Sequence, residues 1–163
     1  MKRNATIAVA LYLAALGTGI EARAADCQKV RGSDVETIIP SPNDPFGRTL
    51  GIVNGVLNGA SSAVVTSLSP DGLHATSTDV FVTNGGDILT ATGAVTLTPV
   101  PGSSSELTEN ATLTITGGSG KYTGATGTIT LSGKAVFDSS GGGTFDVIYQ
   151  GLVCGPNVKG DQD

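Results

Sequence analysis

Few residues of this chain belong to the types that carry chemistry, and none of them forms a recognisable catalytic pattern. The one histidine, His74, has no partner whose placement can be read from the chain, so neither a metal site nor a Ser/His/Asp triad is indicated. Close pairs of acidic residues occur at three places, Asp34/Glu36, Glu106/Glu109 and Asp161/Asp163. None of these pairs has calcium-loop spacing, and a paired-carboxylate hydrolase would need two acids to meet inside the fold. We predict no metal and no cofactor, and we assign no catalytic residue.

The two cysteines, Cys27 and Cys154, lie near opposite ends of the chain. Exported proteins enter an oxidising compartment, where two cysteines pair by default. A free nucleophilic thiol is the alternative, although only His74 could assist it and nothing would orient that ring. We predict a disulfide that ties the N-terminal segment to the last strand.

The N-terminus has the pattern of a signal peptide. Three features follow one another: a basic start over residues 1–4, an uncharged apolar stretch over 5–20, and small residues at Ala22 and Ala24. A retained anchor is the alternative, but the apolar stretch is short for a spanning helix. A lipoprotein is disfavoured because Asp26 precedes Cys27. We predict that residues 1–24 are removed, that no membrane segment remains, and that the protein is secreted or periplasmic.

The composition describes an acidic, glycine-rich chain. The formal net charge is −5, which argues against binding to nucleic acid or to anionic membranes. The 24 glycines, the abundant Thr, Val and Ser, and the absence of tryptophan suit an all-β fold with many tight turns. Disorder is the competing interpretation, and the periodic placement of the apolar residues argues against it.

Apolar and threonine residues alternate on both sides of a glycine-dense corner. Residues 111–116 and 128–132 have the period-2 pattern of strands with one buried face. The glycines between them do not have dinucleotide-loop spacing, since Thr123 stands where a third glycine would be due. We assign these glycines a structural role at a tight corner, and they are Gly117, Gly118, Gly120, Gly124 and Gly127.

Further alternating segments and turn signals follow one another along the chain. A turn is predicted at Ser69-Pro70-Asp71-Gly72, and a type I′ hairpin turn at Asn84-Gly85. Adjacent hairpins favour a closed, eight-stranded, antiparallel up-and-down β-barrel, which removes unpaired sheet edges. A β-sandwich is the alternative architecture. We divide the mature chain into an N-terminal segment (25–46), the barrel (47–154) and a polar tail (155–163).

The sequence LTITGGSGKYTGATG, residues 113–127, resembles the signature of the allene oxide cyclase family. That signature runs L-x-I-T-G-G-x-G-x-[FY]-x-G-A-x-G, and dirigent proteins have a related glycine corner. Pro45 and Phe46 match part of a V-P-F-T-N segment of the cyclases, while Arg48 stands where that family has an asparagine. The resemblance implies an eight-stranded barrel with an apolar cavity, often trimeric, in which the shape of the cavity controls a reactive intermediate.

Two function classes follow, and the sequence leaves open whether the protein is an enzyme. In the first, the barrel is a binding or structural module for a small apolar ligand. In the second, it is a cofactor-free cyclase or isomerase that steers a reactive intermediate. A self-associating surface protein is a third class. Candidate ligand-binding residues are Pro45, Phe46, Arg48 and Tyr149, the last because a tyrosine can offer its hydroxyl to a cavity.

Overall fold

A computed structural model describes residues 26–41 and 44–159. The predicted signal peptide and the last part of the predicted tail lie outside the described residues. Alternating patterns of buried and exposed residues produce eight strands. Their bounds are β1 (Asp26–Ser41), β2 (Asp44–Gly55), β3 (Gly59–Leu68), β4 (His74–Thr83), β5 (Ile88–Pro99), β6 (Glu106–Ser119), β7 (Thr126–Phe137) and β8 (Gly143–Gly155).

The strands form one closed antiparallel barrel in sequence order, which confirms the predicted architecture. Each strand pairs with the next along the chain, and β1 also pairs with β8, so none of the eight described strands is left as an edge. The separation of residues 25–46 from the barrel is wrong, because Asp26–Ser41 is the strand that closes it. Its alternation is hard to recognise in the sequence because acidic and glycine residues occupy many of its inward positions.

The N- and C-terminal strands are joined covalently. Cys27 and Cys154 are directly opposite each other in the register of β1 and β8, and they form the predicted disulfide. This bond links the two strands that meet at the closure of the barrel, across a sequence separation of 127 residues.

An up-and-down barrel brings alternate connections to the same end, and the two ends differ. The β2–β3, β4–β5 and β6–β7 connections surround what we call the closed end, which apolar side chains fill. The largest of its fully buried residues are Tyr122, Leu57, Leu89, Leu113 and Ile129. We call the other end, where the β3–β4, β5–β6 and β7–β8 connections lie, the open end.

The glycine corner belongs to the closed end. It contains a single 3-10 turn, Gly120–Tyr122, which places the Tyr122 ring fully inside the core. Gly120 has φ 61°, and a Cβ there would lie 2.0 Å from Asp87 Oδ1, so only glycine fits.

Among the described residues no helix is long and apolar enough to cross a membrane.

The β4–β5 hairpin differs from the predicted type I′ turn. Among the described residues no position other than glycine has positive φ, so Asn84 does not adopt the required conformation. The positive φ, 83°, falls on Gly86 instead, whose N–H donates to the Thr83 carbonyl while Thr83 N–H donates to that of Asp87. The chain has three possible turn residues in a row, and strand pairing selects which of them takes the left-handed conformation.

Candidate functional site

A cavity of about 170 Å³ occupies the open end of the barrel. Its walls are mainly apolar and include three aromatic rings, those of Phe46, Phe137 and Phe145. The Phe137 and Phe145 rings pack edge to face with centroids 5.8 Å apart. Aliphatic side chains complete the walls, among them Ile38, Val65, Leu68, Val95 and Leu97. This arrangement of apolar walls around a concave opening is typical of small-molecule sites.

Carboxyl groups lie where the cavity meets the closed-end core. Glu36 from β1 and Glu109 from β6 line the cavity itself. Asp34, one inward position before Glu36 on β1, and Asp79 on β4 are buried and do not line the cavity. We call these four residues the acidic belt. Strand register connects Asp34 to Glu109, because Asp34 pairs with Val147, Val147 with Gly133, and Gly133 with Glu109.

Two serines hold the deeper acids of the belt in place. Ser61 Oγ donates a hydrogen bond of 2.9 Å to Asp34 Oδ1, and Ser77 Oγ donates one of 2.8 Å to Asp79 Oδ2. The second oxygens of Asp34 and Glu109 (Oδ2 and Oε2) receive no hydrogen bond from the protein. A buried carboxylate oxygen without a donor is costly, so these atoms favour either a bound proton or a ligand that donates to them.

Glycine leaves the space into which the belt acids extend. A Cβ at Gly51, on β2, would lie 2.8 Å from Asp34 Oδ1 and 2.5 Å from Ser61 Oγ. A Cβ at Gly93, on β5, would lie 2.1 Å from Ser77 Oγ and 3.0 Å from Asp79 Oδ2. Asp34 and Asp79 therefore each pack over a strand position that must lack a side chain.

Burial raises the pKa of three belt acids well above the ordinary range. Removal from water, followed by the nearby Glu36, raises the pKa of Asp34 to about 8, against the opposing effect of the Ser61 hydrogen bond. Burial likewise raises the pKa of Glu109 to about 7, with repulsion from Glu36 and Asp79 adding to it. Asp79 has its pKa raised to about 6, mainly by burial. At neutral pH the belt therefore holds protonated and ionised carboxyls side by side.

The structure separates the four predicted ligand-binding residues. Phe46 and Arg48 line the cavity, the latter with an exposed side chain. Pro45 precedes them in β2, and its side chain lies outside the described part. Tyr149 is at the closed end instead, because its hydroxyl accepts a hydrogen bond from Leu57 N–H (2.9 Å) and donates one to the Asn54 carbonyl (3.0 Å). Through these two hydrogen bonds, Tyr149 connects the β2–β3 turn to β8.

None of the four belt acids was predicted as a site residue, although the sequence contains a pattern that points to three of them. Glu109 lies two residues before Ala111 and so shares the inward phase of Ala111, Leu113 and Ile115. Asp34 shares the inward phase of Val30 in the same way, and Asp79 that of Phe81. An acidic residue in the apolar phase of a strand is unusual, because burial of an unpaired charge is unfavourable. That exception to the alternation could have identified the belt.

Metal binding has no support in the described residues. No group of three or more His, Cys, Asp or Glu side chains within ranges 26–41 and 44–159 is placed so as to hold a metal ion. The belt acids belong to three strands, β1, β4 and β6.

Comparisons with known proteins give no family assignment. The sequence matches no protein family and no curated protein. Among solved structures, the chain is similar to that of the pterocarpan synthase dirigent protein GePTS1, with 14% sequence identity over 86% of this chain and 90% of that chain, and a TM-score of 0.34. At these values, the assignment of the barrel depends on the strand order and register described above.

Proposed function

We propose that this protein binds a small, largely apolar molecule in the cavity at its open end. The observation that supports this function is the combination of apolar walls with an unpartnered carboxylate oxygen, Glu109 Oε2, on a residue that lines the cavity. The apolar walls favour a hydrophobic body, and the carboxyl orients one polar group of the ligand. The volume, about 170 Å³, suits a ligand of about one ring, since cavities of roughly 150 Å³ hold benzene.

The absence of tryptophan from the chain allows a direct binding test with indole. Indole fluorescence can be excited with little contribution from the protein, and a blue shift with saturable anisotropy would report entry into the cavity. The variant Val95→Phe fills the cavity and should abolish the signal. Ala94→Phe, on the exposed face of the same strand, is the matched control. Binding that both variants reduce equally, or that neither reduces, would place indole elsewhere and contradict the proposal.

Native mass spectrometry of the protein purified from its own host would identify the natural ligand. A co-purifying small molecule at near-stoichiometric amount, released by extraction, should be largely apolar with one polar group. Absence of both a bound molecule and indole binding would contradict a ligand-binding function and favour a structural module.

A second candidate function is that of a cofactor-free cyclase or isomerase. The specific observation that favours it is Glu109, which lines the cavity and whose pKa is raised to about 7 by burial. A carboxylic acid that remains partly protonated near neutral pH can act as a general acid. It could protonate an epoxide or carbonyl oxygen of a bound intermediate while the cavity walls hold the reacting carbons together. The sequence resemblance of residues 113–127 to allene oxide cyclases also supports this candidate.

Styrene oxide, a ring-sized epoxide, is a suitable probe for general acid catalysis. We expect the wild-type protein to accelerate its isomerisation to phenylacetaldehyde at pH 6: Glu109 protonates the epoxide oxygen as the benzylic C–O bond breaks, a hydride moves from the neighbouring carbon to the benzylic carbon, and the oxygen returns its proton to Glu109. The rate should fall as the pH rises past 7, and Glu109→Gln should remove the acceleration. Glu106→Gln, on the same strand but outside the cavity, is the control. Acceleration that persists in Glu109→Gln would exclude Glu109 as the acid.

We further propose that the protein is exported. The predicted signal peptide over residues 1–24 supports this, and the Cys27–Cys154 disulfide is compatible with an oxidising compartment. Mass spectrometry of the protein from its host should give an N-terminus at Ala25. Recovery of the protein with Met1 still attached would contradict removal of the predicted signal peptide.

A further inference from the structure

The acidic belt contains an imbalance of charge. Four carboxyl groups face the interior from β1, β4 and β6. Of the cationic side chains among the described residues, only that of Arg48 lines the cavity, and it is exposed at the mouth. Buried acids in proteins are normally paired with a cation or fully hydrogen-bonded.

Glu109 is the acid from which a ligand would gain most. Its side chain is 7% exposed, lines the cavity and has an unpartnered Oε2. Its partners on the flanking strands are Leu97 on β5 and Gly133 on β7, and neither has a side-chain donor. Neither neighbour can supply the donor that Glu109 Oε2 lacks, so a ligand in the cavity that donates to this oxygen would satisfy it.

We propose that the cavity selects small organic cations, with a protonated amine at Glu109 and Glu36 and an apolar body of about one ring between the aromatic walls. This inference rests on the proposed binding function and names its ligand class. An ammonium group carries three donors and a positive charge, so it can satisfy several carboxylate oxygens at once. Phe46, Phe137 and Phe145 also suit a cationic ligand, because aromatic faces attract cations.

The charged surroundings of Glu109 favour a cation over an anion. Asp34 and Glu36 on β1 and Asp79 on β4 add negative charge when ionised, and Arg48 on β2 is the one cation among the described residues that lines the cavity. Repulsion from Glu36 and Asp79 contributes to the raised pKa of Glu109. A bound ammonium would lower that pKa, so amine binding should release protons and strengthen as the pH rises from 5 to 8. General acid catalysis by Glu109 would have the opposite pH dependence.

Isothermal titration calorimetry with three similar compounds tests this inference. Benzylamine is a cation, benzyl alcohol is neutral and benzoate is an anion, while all three have the same ring. At pH 8 we expect benzylamine to bind about tenfold or more tightly than benzyl alcohol, and benzoate to bind weakest. Benzylamine affinity should fall about tenfold or more between pH 8 and pH 5, whereas that of benzyl alcohol should change little.

Two isosteric variants locate the effect. Glu109→Gln should reduce benzylamine affinity about tenfold and leave benzyl alcohol affinity nearly unchanged. Glu106→Gln removes the same charge from the same strand, but its carboxylate pairs with Lys134 outside the cavity (3.4 Å), so benzylamine affinity should not change. Should Glu109→Gln fail to fold, the pH series on the wild-type protein still tests the inference.

The outcomes separate this inference from the proposed function. If benzyl alcohol binds as tightly as benzylamine, or if Glu109→Gln keeps the preference for the amine, the selection of cations is overturned while small-molecule binding stands. If none of the three compounds and no indole binds, the binding function itself is overturned.

Discussion

The closed and open ends of the barrel are built from the same eight strands, but their interiors differ in kind. At the closed end, apolar side chains and the Tyr122 ring fill the space, and the Tyr149 hydroxyl uses both of its hydrogen bonds on the backbone. Toward the open end, other inward-facing positions of these strands hold carboxyl groups next to a cavity of about 170 Å³. Dense packing stabilises a fold, whereas a cavity and buried acids reduce stability. The comparison indicates that the closed end stabilises the barrel and that the open end is available for function.

The largest effect should come from the disulfide at the closure of the barrel. The double variant Cys27→Ser with Cys154→Ser should lose roughly 4–5 kcal/mol of unfolding free energy, because a long loop is no longer restrained in the unfolded chain. Urea unfolding measures this loss. Reduction of the wild-type protein should have the same effect, and reduction of the double variant should have none. An unchanged midpoint would show that the bond contributes little.

The second largest loss of unfolding free energy should come from replacing a leucine by alanine at the closed end, and the same replacement at the open end should cost less. Leu113 packs in the closed-end core, so Leu113→Ala should cost about 2–5 kcal/mol in unfolding free energy. Leu97 lines the cavity, where part of its surface has no packing partner, so Leu97→Ala should cost less than about 2 kcal/mol. Urea unfolding of both variants gives the comparison. Equal losses would contradict the assignment of stability to the closed end.

The pH dependence of stability should reveal the acidic belt. Asp34, Asp79 and Glu109 have folded pKa values of about 8, 6 and 7, above their ordinary values of 3.8, 3.8 and 4.5. Between about pH 4 and pH 8 the folded state therefore binds more protons than the unfolded state. The contribution of these three groups to the unfolding free energy should be greatest near pH 4 to 5. It should fall as the pH rises to 8, by on the order of a few kcal/mol.

Thermal unfolding across pH 4.5–8.5 measures this decline. Glu109→Gln and Asp34→Asn should each flatten the curve and raise the thermal midpoint at pH 8, because neither amide can ionise. Asp146→Asn, an exposed position on β8, should leave the slope unchanged. A midpoint that rises steadily with pH would mean that the belt acids are ionised without cost in the folded protein.

The smallest effect should be on association of the chain rather than on its unfolding, and it concerns the outer face of β1, β2 and β8. Val35, Leu50, Ile52 and Ile148 point outward there and are between 48% and 66% exposed, and Val35 is the register partner of Ile52. The oligomer that the sequence resemblance implies would bury an exposed apolar face of this kind, so we expect a second copy of the chain to cover it. Light scattering should show an oligomer that Ile52→Lys dissociates and that Thr92→Lys, on the outer face of β5, does not. A monomeric wild-type protein would contradict this.

Patterns of neighbouring residues in the sequence predicted the main features of the closed end. The alternation over residues 111–116, the glycine corner and the cysteines at opposite ends of the chain led to the barrel and the disulfide, both of which the structure confirms. These features depend on short-range geometry or on compartment, so they can be read from neighbouring residues. The β1 strand was missed as part of the barrel because Asp34 and Glu36 hide its apolar phase.

The sequence alone determined the strand periodicity, the tight corners, the net negative charge and the pairing of the two cysteines. Tertiary structure decided which residues share the interior. Asp34, Asp79 and Glu109 are separated by tens of residues and belong to three strands, and only the closed barrel brings all three into one interior, where Glu109 lines the cavity. The raised pKa values arise from burial and mutual repulsion, and both depend on distances through space that no local pattern encodes.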